Sequence, residues 1–366
     1  MVKKLKYITY QTFPARTANS IQTISTLKHL SRAEFETTLI YPLRNKKSSD
    51  NIIDIQKHYH FEDHINLIGT IHPLPFKKFK TFEKYWYLIS HLLWSFFTVK
   101  KYFSSENDFY FTRSEWVFYF LSKKNANVIY ECHQISKFKK FLINKSLKKE
   151  MSKVIALTDE IKKEISPLIE SKVQILSSGF DEDFFYEKPE KKNHLVYAGS
   201  LFRFGKSRGL EILFKNLSQL KIDNLKIIII SSDEVEIKSF EEKIIQNNPK
   251  LDIEIYRKLN QKEVGEILSC AKVGLLVNNS SKHAKLYSSP LKYFEYIASG
   301  LNVVATDLMS HRKLPLHEEI DFYDEGNINS FQSAVVNAFK RINNNTTKVK
   351  DYSMTVRVHK ILQFFK

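Results

Sequence analysis

YSSPLKYFEYIASG, residues 287–300, reads as a loop that runs into a short helix. Ser289 is a good N-cap, Pro290 suits the first helical position, and Gly300 supplies the stop. The first N–H groups of such a helix, those of Leu291 and Lys292, have no partner within it. Together with the helix dipole they make a seat for phosphate. One turn on, Glu295 leans back toward that start, because helical side chains tilt N-terminally. A carboxylate there can accept both hydroxyls of a ribose whose diphosphate rests on the helix start, without a metal. A buried helix whose glutamate pairs with a basic neighbour fits the same spacing.

A second anion-binding pattern lies upstream. The apolar run His194–Ala198 predicts a strand, and it leads into GSLFRFGKSRG, residues 199–209, before an expected helix over Leu210–Leu220. Gly199, Gly205 and Gly209 let backbone approach a ligand, while Arg203, Lys206 and Arg208 bring cations that can fork onto phosphate oxygens. A solvated basic loop is the plainer reading of the same residues. Two such corners on one domain would grip a pyrophosphate together. Strand-length runs Leu225–Ile230, Leu251–Ile255 and Val273–Val277 alternate with helical stretches, which predicts a parallel sheet.

With these residues in hand, SPLKYFEYIASG followed by the strand Leu301–Thr306 resembles the C-terminal signature of the family 4 retaining glycosyltransferases of the GT-B fold. The resemblance spans nearly the whole chain in element order, and its specific motifs lie between Tyr197 and Thr306. It implies two Rossmann-like α/β domains facing across a cleft, with a C-terminal helix crossing back to the first. The expected boundaries are 1–178 for the acceptor-side domain, with 350–366 packing back on it, and 179–349 for the nucleotide-sugar domain. It also implies that Gly199, Arg203, Lys206, Arg208, Ser289, Pro290, Leu291, Lys292 and Glu295 bind the donor. In the family's pattern an Arg precedes a Lys-Gly pair; here Arg208 and Gly209 take the pair's place and Arg203 or Lys206 the earlier one. There are two departures. The fuller pattern has two Glu residues eight positions apart, and Tyr287 stands at the first. Relatives also carry a Gly pair in the first βα loop, where this chain has Arg16 and Asn19.

The first half opens with a strand over Lys6–Tyr10, a loop, a helix over Ile21–Leu30 and a second strand over Thr37–Tyr41, a βαβ unit. Parallel sheets bind ligands at strand C-terminal ends. That places Arg113 after Asp108–Phe111, and His133 after Val128–Glu131, where the resemblance points to a functional histidine. A neutral imidazole there could bond sugar or acceptor; it could equally cap the next helix. Arg16, Arg113 and Tyr287 are candidate acceptor or sugar contacts. Asp181 and Asp183 form a DxD that looks like a metal site, but the segment matches an interdomain linker better.

Composition bounds the partners. The chain is 366 residues long, 43% apolar and 13% aromatic, with a net charge of +17. Residues 1–180 hold 29 Lys/Arg against 16 Asp/Glu, and residues 181–366 hold 28 against 24. The basic half suggests an anionic partner. Within it, residues 76–103 predict a long helix with Phe82, Trp86, Ile89, Leu93, Phe96 and Phe97 on one side and lysines at both ends. That is the composition of an interfacial helix, and equally of a core helix with a solvated face. Residues 137–149 share the ambiguity. Cys132 and Cys270 are too few for a disulfide framework, and neither a signal peptide nor a run long enough to span a bilayer is visible.

The expectation is therefore a metal-independent, cofactor-free transferase. It would move a hexosyl unit from a nucleotide-diphosphate sugar, with retention, to a glycan or lipid-linked acceptor of the lipopolysaccharide type. His133, Arg208 and Glu295 would carry the chemistry. It would sit in the cytoplasm at the inner face of an anionic membrane and bind no nucleic acid, since no reading motif is present. The rivals are a sugar-nucleotide 2-epimerase, which needs more carboxylates than the sequence offers, and a non-catalytic sugar-nucleotide- or glycan-binding subunit.

Overall fold

A computed structural model describes residues 3–33, 35–44, 48–72, 82–165, 171–188, 190–203, 206–232, 234–244, 251–279, 281–342 and 346–365. The chain divides into two compact units, Met1–Ser177 with Arg357–Lys366, and Ser178–Val356. Both are α/β, and together they make the GT-B fold class.

The first unit alternates β1 (Lys3–Ile8), α1 (Ala18–Arg32), β2 (Phe35–Leu43), α2 (Ile52–Tyr59), β3 (Asn66–Ile71), α3 (Glu83–Tyr102), β4 (Phe109–Thr112), α4 (Glu115–Lys123), β5 (Asn127–Cys132), α5 (Lys137–Leu147), β6 (Ser152–Ala156), α6 (Asp159–Glu164) and β7 (Val173–Ile175). The sheet is parallel, in the order β3-β2-β1-β4-β5-β6-β7. Every residue of β5 is buried, as a strand covered by helices on both faces requires. Polar caps open the helices: Thr17 starts α1, Ser114 α4, Ser136 α5 and Thr158 α6, each accepting from a backbone N–H of the first turn. His133 therefore caps nothing.

The second unit runs β8 (Lys192–Ala198), β9 (Phe202–Arg203), β10 (Lys206–Ser207), α7 (Leu210–Lys215), β11 (Lys226–Ser231), α8 (Glu234–Ile244), β12 (Asp252–Arg257), α9 (Gln261–Cys270), β13 (Ala271–Leu276), α10 (Lys282–Tyr287), α11 (Leu291–Ala298), β14 (Asn302–Thr306), β15 (Ile320–Tyr323), α12 (Ile328–Lys340) and α13 (Thr346–Val349). Its parallel sheet is ordered β12-β11-β8-β13-β14-β15. Leu195, Tyr197, Ile227 and Ile229 join one apolar cluster, and Val196, Ala198, Ile228 and Ile230 another. Alternate residues of a strand face opposite sides, so the unbroken run KIIII feeds two cores at once. The terminal helix α14 (Met354–Phe365) begins in this unit, and from Arg357 onward belongs to the first.

Three elements differ from the sequence reading. Helix α7 stops at Lys215 rather than Leu220, because Asn216 turns its amide back onto Ile212 O and Ser218 takes Lys215 O. The stretch before α11, expected as a loop, contains α10, started by Ser281 accepting from Ala284 N. Helix α3 forms within the expected stretch 76–103, of which 76–81 lie outside the described residues, but it buries Ser90, His91, Trp94, Ser95, Thr98 and Val99. Phe82, Trp86, Ile89, Phe96 and Phe97, the larger apolar set, are exposed, Phe97 to 54%.

Candidate active site

In the second unit, strand order reverses between β8 and β13, and the loops leaving their C-terminal ends diverge; ligands of doubly wound sheets bind there. Gly199 follows β8, with its N–H on Ile230 O. Gly209, at φ +76°, then turns the chain into α7 in a conformation that other residues adopt at a cost. Between them, Arg208 reaches across the reversal point. Its Nη1 donates to Val277 O at 2.6 Å and to Asn278 Oδ1 at 2.7 Å.

Asn278 is itself oriented from behind. His311 is fully buried, and burial pushes its imidazole down to about 4, so it is neutral. Its Nδ1 lies 2.8 Å from Thr306 O, a pure acceptor, so Nδ1 carries the proton and Nε2 must accept from Asn278 Nδ2 at 3.1 Å. The amide can then offer only Oδ1 to Arg208. Thr306 Oγ1 completes the frame by accepting from Asn278 N and donating to the Tyr323 hydroxyl. Sequence reading missed Asn278, His311 and Thr306; polar residues just beyond two apolar strands were the available signal.

Helix α11 starts one residue later than the sequence suggests. Pro290 is the cap residue, and no side chain caps the helix. Ser289 is not the N-cap: its Oγ accepts from Ser178 N and its carbonyl accepts from Ser178 Oγ, both in this unit. The hydroxyl expected to cover the first amides is thus used elsewhere, and no side chain closes the N–H end at Leu291 and Lys292. The far end is closed by a Schellman motif. Gly300, at φ +70°, donates to Ile297 O, and Leu301 N donates to Tyr296 O.

Glu295 is buried on this helix. Its Oε2 accepts from Lys292 Nζ at 2.7 Å, while Oε1 is buried with no partner among the described residues. The Tyr296 hydroxyl accepts from Ala198 N at 2.9 Å and reaches Leu275 O at 3.4 Å, tying α11 to the ends of β8 and β13. The charges of Glu295 and Arg208 both act on that hydroxyl, whose pKa burial raises first of all. Arg208, Glu295 and the uncapped helix start thus belong to one end of the unit. Of the remaining expected residues, the side chains of Arg203 and Lys206 lie outside the described residues. Tyr287 is buried at the end of α10. In the loop that carries Arg203 and Lys206, the amides of Leu201 and Phe202 are occupied by the Glu236 carboxylate of α8 at 2.9 and 3.3 Å. The DxD carboxylate of Asp181 is likewise engaged, accepting from Asp183 N in a local turn.

In the first unit the strand ends carry a buried ion cluster. Glu131, in β5, takes Arg113 Nη2 on Oε1 at 2.5 Å and Arg357 Nη2 on Oε2 at 2.7 Å; His133 Nε2 lies 2.6 Å from Oε1. Burial alone would raise the Glu131 carboxyl, but Arg113 and Arg357 outweigh it and hold it well below the usual carboxylate range. Arg113, expected to face acceptor, is therefore an internal partner, with Nη1 on Asn19 O as well. Arg16 is exposed in the loop before α1 and is not part of this cluster.

Among the described residues burial lowers five histidines: His311 and His133 to about 4, His91 to about 3, and His58 and His194 in the same direction. An unfolded histidine binds its proton near pH 6.5, so the unfolded chain gains protons that the folded one refuses. Stability should be complete above about pH 6.5 and fall continuously toward pH 4, at up to about 1.4 kcal/mol per pH unit per histidine. Thermal melts from pH 8 to 4.5 check this. A flat Tm between pH 6.5 and 5 contradicts it.

No protein-family model and no curated protein sequence matches this chain. Solved structures do. Sucrose-phosphate synthase from Thermosynechococcus elongatus superposes with a TM-score of 0.71 at 14% identity, over 99% of this chain and 98% of that one. The lipopolysaccharide outer core galactosyltransferase WaaB gives 0.63 at 11%, over 99% and 98%. HepE from Anabaena, solved with UDP and glucose, gives 0.65 at 10%, over 99% and 98%. The chain shares their fold.

Proposed function

We propose that this protein is a retaining glycosyltransferase of the family 4 type, moving a hexosyl unit from a nucleotide-diphosphate sugar to a glycan or lipid-linked acceptor. The observation that carries the reading is Glu295: a buried carboxylate oxygen without a donor, one turn from an uncapped helix start, on the same end of the unit as Arg208. A ribose hydroxyl supplies the missing donor, and a diphosphate supplies the anion for the amides of Leu291 and Lys292. Arg208 and Lys292 then stabilise the charge that develops on the leaving diphosphate by fixed cations, with no step assigned to a metal or cofactor. That one of the similar structures was solved with UDP and glucose supports a uridine donor as the first to try.

The test is incubation with a panel of nucleotide sugars and glycan acceptors, read by mass spectrometry for nucleotide release and glycosylated product. Transfer supports the reading; epimerised sugar, or binding with no turnover, replaces it. Binding alone is the outcome that Tyr287 favours, since it stands where the family pattern has its first glutamate. Thermal shift shows donor binding separately.

The acceptor belongs at an anionic membrane surface in this reading, which the outward face of α3 supports. Tyr85, Trp86, Ile89, Phe96 and Phe97 are exposed there, and Phe138 and Phe141 of α5 are exposed among lysines. An aromatic face with a basic rim is suited to the headgroup boundary. No described helix is long and apolar enough to cross a membrane. Co-sedimentation with vesicles containing phosphatidylglycerol should exceed that with neutral vesicles severalfold, and Phe96→Ser/Phe97→Ser should abolish the difference. Equal sedimentation with both vesicles sinks this part.

A further inference from the structure

The ion cluster of the first unit is left unexplained by nucleotide binding, which the proposal above assigns to the second unit. Glu131 is fully partnered, yet its partners differ. Arg113 and Arg357 are buried cations, 5% and 2% exposed at the side chain, and neutralise the carboxylate inside the fold. His133 is the one member that reaches solvent, with 27% of its side chain exposed, just beyond the C-terminal end of β5. A cluster built only to pair charges would not need it.

We propose that Glu131 is a positioning residue: it holds His133 as the Nε2–H tautomer, and so presents Nδ1 as a hydrogen-bond acceptor to a hydroxyl of the acceptor or transferred sugar. The inference rests on the reading above that His133 meets one of those two molecules.

The geometry leaves little choice of tautomer. Glu131, held ionised by two guanidiniums, only accepts, so the ring nitrogen 2.6 Å from it must donate. Burial first, and then the Arg113 charge, push the imidazole down to about 4, against the opposing pull of Glu131. One proton is therefore shared between two nitrogens, and Glu131 claims it at Nε2. Nδ1 keeps its lone pair. It can take a hydrogen bond from a sugar hydroxyl, and it cannot donate one to a carboxylate, phosphate or carbonyl. The charged groups facing the ring are Glu131, Arg113 and Arg357. Arg357 makes the terminal helix part of the arrangement, since its Nε also holds Ser177 O at 2.9 Å. A third-residue orienter behind a histidine is the same logic by which a carboxylate sets the tautomer of a catalytic or metal-bound imidazole.

The test has two arms on the full chain. In the first, 15N-histidine NMR, with His133→Gln for assignment, reads the ring directly. A protonated Nε2 with bare Nδ1 from pH 5.5 to 8 is expected; an Nδ1–H ring, an exchanging mixture or an imidazolium overturns the proposal, whether or not any sugar is transferred. In the second, transfer kinetics are measured for Glu131→Asp, His133→Gln and the pair. Glu131→Asp keeps the charge between the arginines and withdraws the oxygen from His133. Each single variant should lower kcat/KM by roughly 5–100-fold, the cost of leaving a desolvated sugar hydroxyl without its acceptor. The double variant should be no worse than His133→Gln alone, with nucleotide affinity unchanged in all three. Additive losses, or weakened nucleotide binding, mean that Glu131 is structural only. A correct tautomer without turnover on any donor would overturn the transferase reading instead, and with it the proposed use of Nδ1.

Discussion

Arg208→Ala should lower kcat/KM for sugar transfer by about 10²–10³-fold, the usual effect of removing one preorganised donor aimed at developing charge. The reason lies in how the side chain is held. Arg208 sits between Gly199 and the start of α7, and its Nη1 is fixed by Val277 O and Asn278 Oδ1. The guanidinium is thereby immobilised at the reversal point of the sheet, while the atoms not spent on those two contacts can serve a phosphate. A lysine offers one ammonium and no fork, so Arg208→Lys should recover less than a tenth of the lost activity. Asn278→Ala removes one of the two anchors and leaves the cation in place. A smaller loss, on the order of tenfold, is expected there. Tryptophan fluorescence supplies the control: Trp86, Trp94 and Trp116 are all in the first unit, so its unfolding midpoint should not move in any of these variants. Arg208→Ala activity within about threefold of the original would remove Arg208 from the chemistry.

How far a sequence discloses such a site depends on what each residue does. The stop at Gly300 is legible, and the helix start to within one residue, because Pro290 and Gly300 act locally, through φ and a missing N–H. The parallel sheets are legible from apolar runs such as VIY in β5 and IIII in β11. Ser289 misleads because two demands compete for one hydroxyl: the helix start next to it in the chain, and Ser178, 111 residues distant in sequence. Arg113 misleads for a related reason. Only the fold brings Glu131, 18 residues on, and Arg357, 244 residues on, to one place, and a side chain committed to that carboxylate is not available to an acceptor. The orientation of α3 was open between core and interface because both demand the same composition. Burial shows which side turns inward: Trp94 and His91 with the smaller Ser90, Ser95 and Thr98 pack inside, and Tyr85, Trp86, Phe96 and Phe97 are left outside. His311 and Asn278 carry no local signature beyond following apolar strands; their roles arise from one amide having to satisfy a guanidinium and an imidazole together.

Glu131→Ala should be the most destabilising single change in the first unit, costing about 3–5 kcal/mol, because it strands two buried guanidiniums rather than merely deleting a contact. Arg113 and Arg357 are nearly inaccessible to water, and neither has another carboxylate among its described partners. The same change removes one tie of the terminal helix to this unit; Ser177 O, the ring of Phe365 against Phe109 at 4.9 Å, Lys153 Nζ on Phe364 O and the buried Val358 and Ile361 remain. Whole-chain unfolding of a two-unit protein need not be two-state, so the measurement should be local. Tryptophan fluorescence reports the first unit alone, and its urea midpoint should fall by roughly 1–3 M. The mechanism makes a further demand. If the loss comes from uncompensated charge, then Arg113→Met, Glu131→Met and Arg357→Met combined should restore most of the stability that Glu131→Ala removes, since apolar side chains of similar volume need no counter-ion. Acid should separate the two effects. Glu131 is held well below the usual carboxylate range, so its contribution is whole above that range and is lost as pH falls from it to the group's own lowered value, mostly below the histidines' window. A midpoint for Glu131→Ala within about 0.3 M of the original would mean that water reaches the two arginines and that the cluster is not the keystone of this unit.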